Sequence, residues 1–165
     1  MRIAVIMCCL LFSSCGRQEP KKNNAIIPPP RFIKSNRNQS YNERYAFLKY
    51  NSQKHSYIFK TGIAANISKK EVITIENLID SYIKKYNQLS KYNIKNTLDY
   101  SKQLIAINNN RGEKEVWVNC SCVRIDSKYW NQEVSVTHDG GNCYFSLMVN
   151  LTTGKCYNFI VNGLA

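Results

Sequence analysis

Six apolar residues, Val72, Ile75, Ile79, Tyr82, Tyr86 and Leu89, recur at alternating spacings of three and four, and nothing else in this 165-residue chain restricts its fold as tightly. The rhythm is that of an α-helix, and it draws one apolar stripe over about five turns. Leu78 and Ile83 widen the stripe, while Glu76, Asp80, Lys84 and Lys85 fall largely on the wet side. Ahead of it, Ser68 and Glu71 have the S-x-x-E spacing of a capping box, in which the two residues satisfy free backbone amides at a helix start. The spacing predicts a helix over about 69–90. Its stripe needs a cover, either a partner helix or, as expected here, the chain's own sheet.

That cover begins beyond Asn96, where the period changes to two. "SKQLIAI" (101–107) and "EVWVNCSCV" (115–123) read as strands joined by "NNNRG", a turn rich in residues that tolerate left-handed backbone. "NCYFSLMVN" and "KCYNFIVNG" read as two more, flanking "LTTG", whose Gly154 is placed to close a hairpin with a glycine bulge. With Leu151 opposite Lys155, Val149 pairs with Tyr157, Leu147 with Phe159 and Phe145 with Val161, so the apolar side chains share one face. The expected class is α+β: one long helix packed on a curled four-stranded antiparallel sheet, within a single domain spanning 32–165 and best defined over 68–165. Earlier in that domain, "SYNERYAFLKYN" suits a short helix with Tyr41, Tyr45 and Leu48 on one side, and "HSYIFKTGIAAN" a strand ending near Gly62.

One helix followed by four antiparallel strands resembles the cystatin-like arrangement, a sheet curled around one helix, which the NTF2-like group shares with extra helices. The resemblance covers about residues 68–165 and rests on element order. The Q-x-V-x-G segment of inhibitory cystatins does not occur, so protease inhibition is not carried over. The tail "DGGNCYFSLMVNLTTGKCYNFIVNGLA" and the "VWVNCSC" strand are similar to those of uncharacterised small bacterial lipoproteins that end in a glycine-glycine hairpin and an N-G-x-A terminus. That resemblance implies a fold and no particular activity.

The other end of the chain supplies an address. Arg2 precedes an uncharged apolar stretch from Ile3 to Phe12, too short to span a bilayer and suited to the core of a signal peptide. Leu11, Phe12, Ser13, Ser14, Cys15 and Gly16 resemble the lipobox of bacterial lipoproteins, with Phe12 where that box usually has an aliphatic residue. The resemblance implies cleavage before Cys15, which becomes a diacylated N-terminus; two acyl chains give the stable anchoring that one does not. Residues 1–14 are then a signal peptide lost together with Cys8 and Cys9, and Gly16 in place of Asp suits the outer membrane. The basic and proline-rich linker that follows Cys15, through Pro28, Pro29 and Pro30 to Arg31, reads as a stiff tether reaching roughly 50 Å at about 3.3 Å per residue.

The net charge of +12 is loaded towards that tether: ten Lys or Arg against two acids over 17–60, and twelve against nine over 61–165. Such a distribution suits an anionic membrane surface, worth about 1 kcal/mol per nearby charge, better than nucleic acid, which is not expected as a partner. Cys120, Cys122, Cys143 and Cys156 remain in the domain, in a compartment that permits disulfides. Residues two apart on a strand bridge poorly, and the hairpin register sets Cys143 on the core face and Cys156 on the opposite one. The expected bridge therefore joins Cys143 to Cys120 or Cys122. Cys-x-Cys is not the spacing of a zinc knuckle, and neither metal nor cofactor is expected.

Catalytic motifs are absent from the sequence: it has no nucleophile elbow, phosphate loop or H-E-x-x-H. His138 and Cys143 in "THDGGNC" could pair as base and nucleophile, but Asp139, Gly140 and Gly141 read as a turn with His138 exposed, and no catalytic residue is assigned. Trp117, on the face opposite Val116 and Val118, and Tyr129, Trp130 and His138, in the long connection before the third strand, are the candidate partner surface. Cover from 32–66 would instead put Trp117 in a second small core. The expected function is a non-catalytic binding or accessory domain on a lipid anchor, holding an envelope protein or component through an open sheet face or the 124–142 loop. Two alternatives stand beside it: an immunity or inhibitor lipoprotein that occludes a toxin or protease, and a small NTF2-like enzyme with a polar pocket inside its sheet.

Overall fold

A computed structural model describes residues 32–34, 41–91, 93–125 and 129–163; the signal peptide, Cys15 and the tether expected over 1–31 lie outside the described residues. In chain order the elements are β1 (Phe32–Lys34), α1 (Tyr41–Arg44), β2 (Tyr45–Phe47), β3 (Ile63–Ala64), α2 (Lys69–Leu89), β4 (Ser101–Asn108), β5 (Lys114–Ser121), β6 (Val123–Ile125), β7 (Tyr144–Asn150) and β8 (Lys155–Val161). The class is α+β, with one long helix on a mixed six-stranded sheet.

α2 is the helix that the stripe dictates. The Ser68 hydroxyl accepts from the Glu71 amide and the Glu71 carboxylate from the Ser68 amide, so the box closes. Val72, Ile75, Ile79 and Ile83 are buried against Leu104, Val116, Val118, Phe145, Leu147 and Val149 of the sheet. Each such side chain contributes about 1.5–3 kcal/mol by leaving water.

The four strands expected from the period-two pattern are present as an antiparallel run, β4-β5-β7-β8. The sheet does not stop at four, however. β2 adds to β4 in parallel, Tyr45 opposite Lys102 and Phe47 opposite Leu104, and β3 pairs antiparallel with the far end of the same edge. A parallel neighbour needs a long crossover, and the connection containing α2 is that crossover. The short helix expected to reach Leu48 therefore ends at Arg44, because Tyr45, Ala46 and Phe47 find backbone partners on β4. The strand expected to end near Gly62 is mostly turns, leaving β3. β1 and β6 form a separate antiparallel pair.

The β7–β8 hairpin departs from its expected register near the turn. Val149 faces Cys156 and Met148 faces Tyr157, while Phe145 faces Val161 as expected. Asn158, with φ of 47° in the left-handed region, is the extra residue that reconciles the two halves. Parity flips there. Cys156 consequently packs towards the helix-side core and Tyr157 towards the opposite face, the reverse of the expected assignment.

That opposite face is not open. Leu48, Tyr50 and Phe59 from the β2–β3 connection bury themselves on Ile105, Ile107 and Met148, and Ile58, Trp117, Val134 and Tyr157 join them. The second small core exists because β4 is apolar on both faces, reading buried from Ser101 to Ile107.

Candidate functional site

Two polar residues stand side by side near the start of this doubly buried strand, and each organises a different side of the sheet. On the face away from α2, the fully buried Gln103 holds a loop by its backbone. Its Nε2 donates to the carbonyls of Trp130 and Glu133 at 2.7 and 2.8 Å, and its Oε1 accepts from the amide of Ser135 at 2.8 Å. Asn119, its cross-strand neighbour, donates to the same Oε1 at 3.2 Å and to the Ser135 carbonyl at 2.8 Å. Trp130, 6% exposed, is buried beneath the loop it belongs to.

The far end of the loop is held differently. Cys122 and Cys143 form a disulfide with Cα atoms 4.8 Å apart, and the Cys122 amide donates to the Cys143 carbonyl at 2.8 Å. Gly140 turns the chain at φ of 92°, and a Cβ there would meet the Tyr144 ring at 2.6 Å, so both backbone and space require glycine. The Gly141 amide donates to Gly163 at 2.9 Å, and the Asn162 side chain donates to the carbonyls of Thr137 and Asp139. Tyr100 donates from its hydroxyl to the Asn142 carbonyl at 2.7 Å, and burial pushes its own proton up to about 12. Clefts of about 420 and 440 Å³ flank this turn; Tyr100 and both sulfurs line one, Tyr86 and Asn162 the other.

The loop exposes Tyr129 (52%) just ahead of the clamp, and Val136 (63%) and His138 after it. The four residues expected on the partner surface thus divide. Tyr129 and His138 are exposed on one loop, whereas Trp130 is a buried anchor and Trp117 is half-buried in the second core, because the 48–59 segment and the loop itself cover that face. Residues 126–128, part of the expected 124–142 loop, lie outside the described residues. Gln103 and Asn119 were not among the expected site residues. Their signal was a polar side chain inside an apolar strand, which has to be satisfied wherever it is buried.

On the helix side, Lys102 has no exposed side-chain surface. Its Nζ lies 3.0 Å from Glu76 Oε1 and donates to the carbonyls of Thr97 at 2.6 Å and Tyr100 at 3.2 Å. Tyr45 donates to the same Glu76 oxygen at 2.6 Å and accepts from Arg44 at 2.8 Å. Burial, reinforced by the Glu76 charge, raises the Tyr45 phenol well above its usual range. Glu76 was expected on the wet side of the helix; β2, packed along that flank, covers it and brings Tyr45 to it.

Among the described residues, the two other thiols, Cys120 and Cys156, are free. Cys120 lies fully buried, its proton pushed up to about 12 by burial against the opposing pull of Lys102, and Cys156 is half-buried with its proton up at about 11. A thiol held protonated is a poor nucleophile and a poor metal ligand. Among the described residues no group of three His, Cys, Asp or Glu side chains stands together to hold a metal ion, and no helix is long and apolar enough to cross a membrane. What the arrangement offers chemically is an exposed loop of fixed shape carrying an aromatic, an aliphatic and an imidazole side chain. Comparison with protein families, curated proteins and solved structures finds no match to this chain.

Proposed function

We propose that the protein is an envelope lipoprotein, anchored through Cys15 in the outer membrane and facing the periplasm, whose domain, a variation on the cystatin-like arrangement, binds an envelope protein without catalysis. The contact surface is the 129–143 loop. The observation that carries this reading is the Gln103 clamp, which fixes the loop by three backbone hydrogen bonds before any partner arrives. Preorganisation of this kind lowers the ordering cost of association. Between α2 and the sheet, Val72, Ile79, Phe145 and Phe159 pack together, where a small NTF2-like enzyme would need a polar hollow.

Two measurements test the halves of the proposal. Intact mass spectrometry of the membrane fraction should find a chain beginning at Cys15 with acyl chains, lost in Cys15→Ala; an unacylated species in both would end the anchor reading. A photo-crosslinking amino acid at Val136 should give a discrete protein adduct in cells that Gln103→Leu abolishes, while the same group at Leu89, 92% exposed on the helix, gives none. Equal labelling from both positions would end the loop reading. An occluding inhibitor would use the same loop, and recovery of a toxin or protease in the adduct would select that alternative.

A further inference from the structure

The chain from Arg44 to Lys70 contains six basic residues and no Asp or Glu. It forms β2, the connection that follows, β3 and the start of α2, and both of its strands lie along one outer edge of β4. Lys49, Lys54, Lys60, Lys69 and Lys70 are exposed, and among them stand three large exposed apolar side chains, Phe47 (43%), Tyr57 (66%) and Ile63 (76%). Phe47 and Lys49 from one strand's end and Ala64 to Ile67 from the other side line a shared cleft of about 510 Å³ over Leu104 and Ala106. Glu43, Glu71 and Glu133 are acids at its borders, Glu71 held by Lys114 and the Ser68 amide and Glu133 beside Lys54 and Tyr57.

We infer that this edge is a membrane-docking surface for anionic lipid headgroups, with the lysines binding phosphate and Phe47 and Ile63 entering the interfacial layer. Exposed aromatic and aliphatic side chains among lysines, with acids only at the borders, match a surface that is negative outside and apolar just beneath. The position of the edge agrees. The chain pairs first with β6 through β1 and then enters the six-stranded sheet at β2, so an anchor at Cys15 would keep this edge within tether reach of the bilayer. That last step rests on the proposed lipoprotein reading; the charge and exposure do not.

The test is hydrogen–deuterium exchange of the full chain with vesicles of phosphatidylcholine alone or mixed with phosphatidylglycerol, the mass of each preparation also showing whether it is acylated. Peptides covering 49–63 should exchange more slowly on the anionic vesicles, and high salt should remove the protection. Lys49→Gln, Lys60→Gln and Lys69→Gln together should weaken vesicle binding of unacylated chain by roughly a hundredfold, about fivefold per lysine. Equal exchange on both vesicle types, whether or not the chain is acylated, would overturn the inference. Protection that needs an added acidic protein and not the lipid would overturn it too.

Discussion

Lys102 places a full positive charge between helix and sheet, and its partner Glu76 is itself only 8% exposed. Taking two charges out of water is costly, and their attraction offsets this only when hydrogen bonds complete both shells. Here Thr97 and Tyr100 complete the shell of Lys102, whereas Glu76 is bonded through Oε1 alone, to Tyr45 and Lys102, and its buried Oε2 has no hydrogen-bond partner among the described residues. The consequence is an asymmetry. Removing one partner strands a buried charge, so Glu76→Ala should lose about 3 kcal/mol, while Glu76→Leu with Lys102→Met should return to within about 1 kcal/mol of the native chain. Urea unfolding of the single and double variants measures both; a double variant as unstable as the single one would refute the pairing. At this scale the sequence was half legible. Lys102 and Gln103 stand out as polar intrusions in "SKQLIAI", but which charge meets Lys102 depends on a flank of α2 that looks wet until β2 covers it.

Elements differ in how much of themselves a sequence states locally. α2 carries its own start signal and its own period, and both ends fall within about one residue of expectation. The Ser68→Ala variant should therefore cost about 1 kcal/mol, with helix content falling in the same unfolding transition by circular dichroism. The β7–β8 hairpin was legible as a hairpin but not in its register, because the extra residue sits at Asn158 and not in the turn. Asparagine tolerates left-handed backbone better than other non-glycine residues, yet nothing nearby marks it as a bulge. Asn158→Gly should leave thermal stability unchanged or raised, and Asn158→Val should lower it by about 1–2 kcal/mol, since a β-branched side chain is strained at that φ. A Val variant that melts with the native protein would show that the bulge relocates at no cost.

For the whole molecule, the decisive feature is that both faces of the sheet are covered, one by a helix and one by irregular chain. The first was legible from periodicity. The second was not, because Leu48, Tyr50 and Phe59 are spread through turns with no period to betray which face they seek. Double coverage buries acidic protons on both sides. Burial raises Cys120 from 9.0 to about 12 and Tyr100 from 10.0 to about 12, while Tyr157, on the second face, also reaches about 12 through burial and the Glu115 carboxylate beside it. Tyr45 is raised further by burial and Glu76. Each group is neutral when folded over a range where the unfolded chain has already released its proton, so the unfolded state binds fewer protons there. Stability is then fully present below about pH 9 and declines as pH rises towards about 12. The urea midpoint should accordingly hold level from about pH 7 to 9 and fall steadily above it. Cys120→Ala, although less stable at neutral pH through its cavity, should show a shallower decline between about pH 9 and 10, where the unfolded thiol titrates before the tyrosines do. A midpoint unchanged up to about pH 11, or a decline identical in Cys120→Ala, would mean that these protons are lost as readily from the folded chain as from the unfolded one.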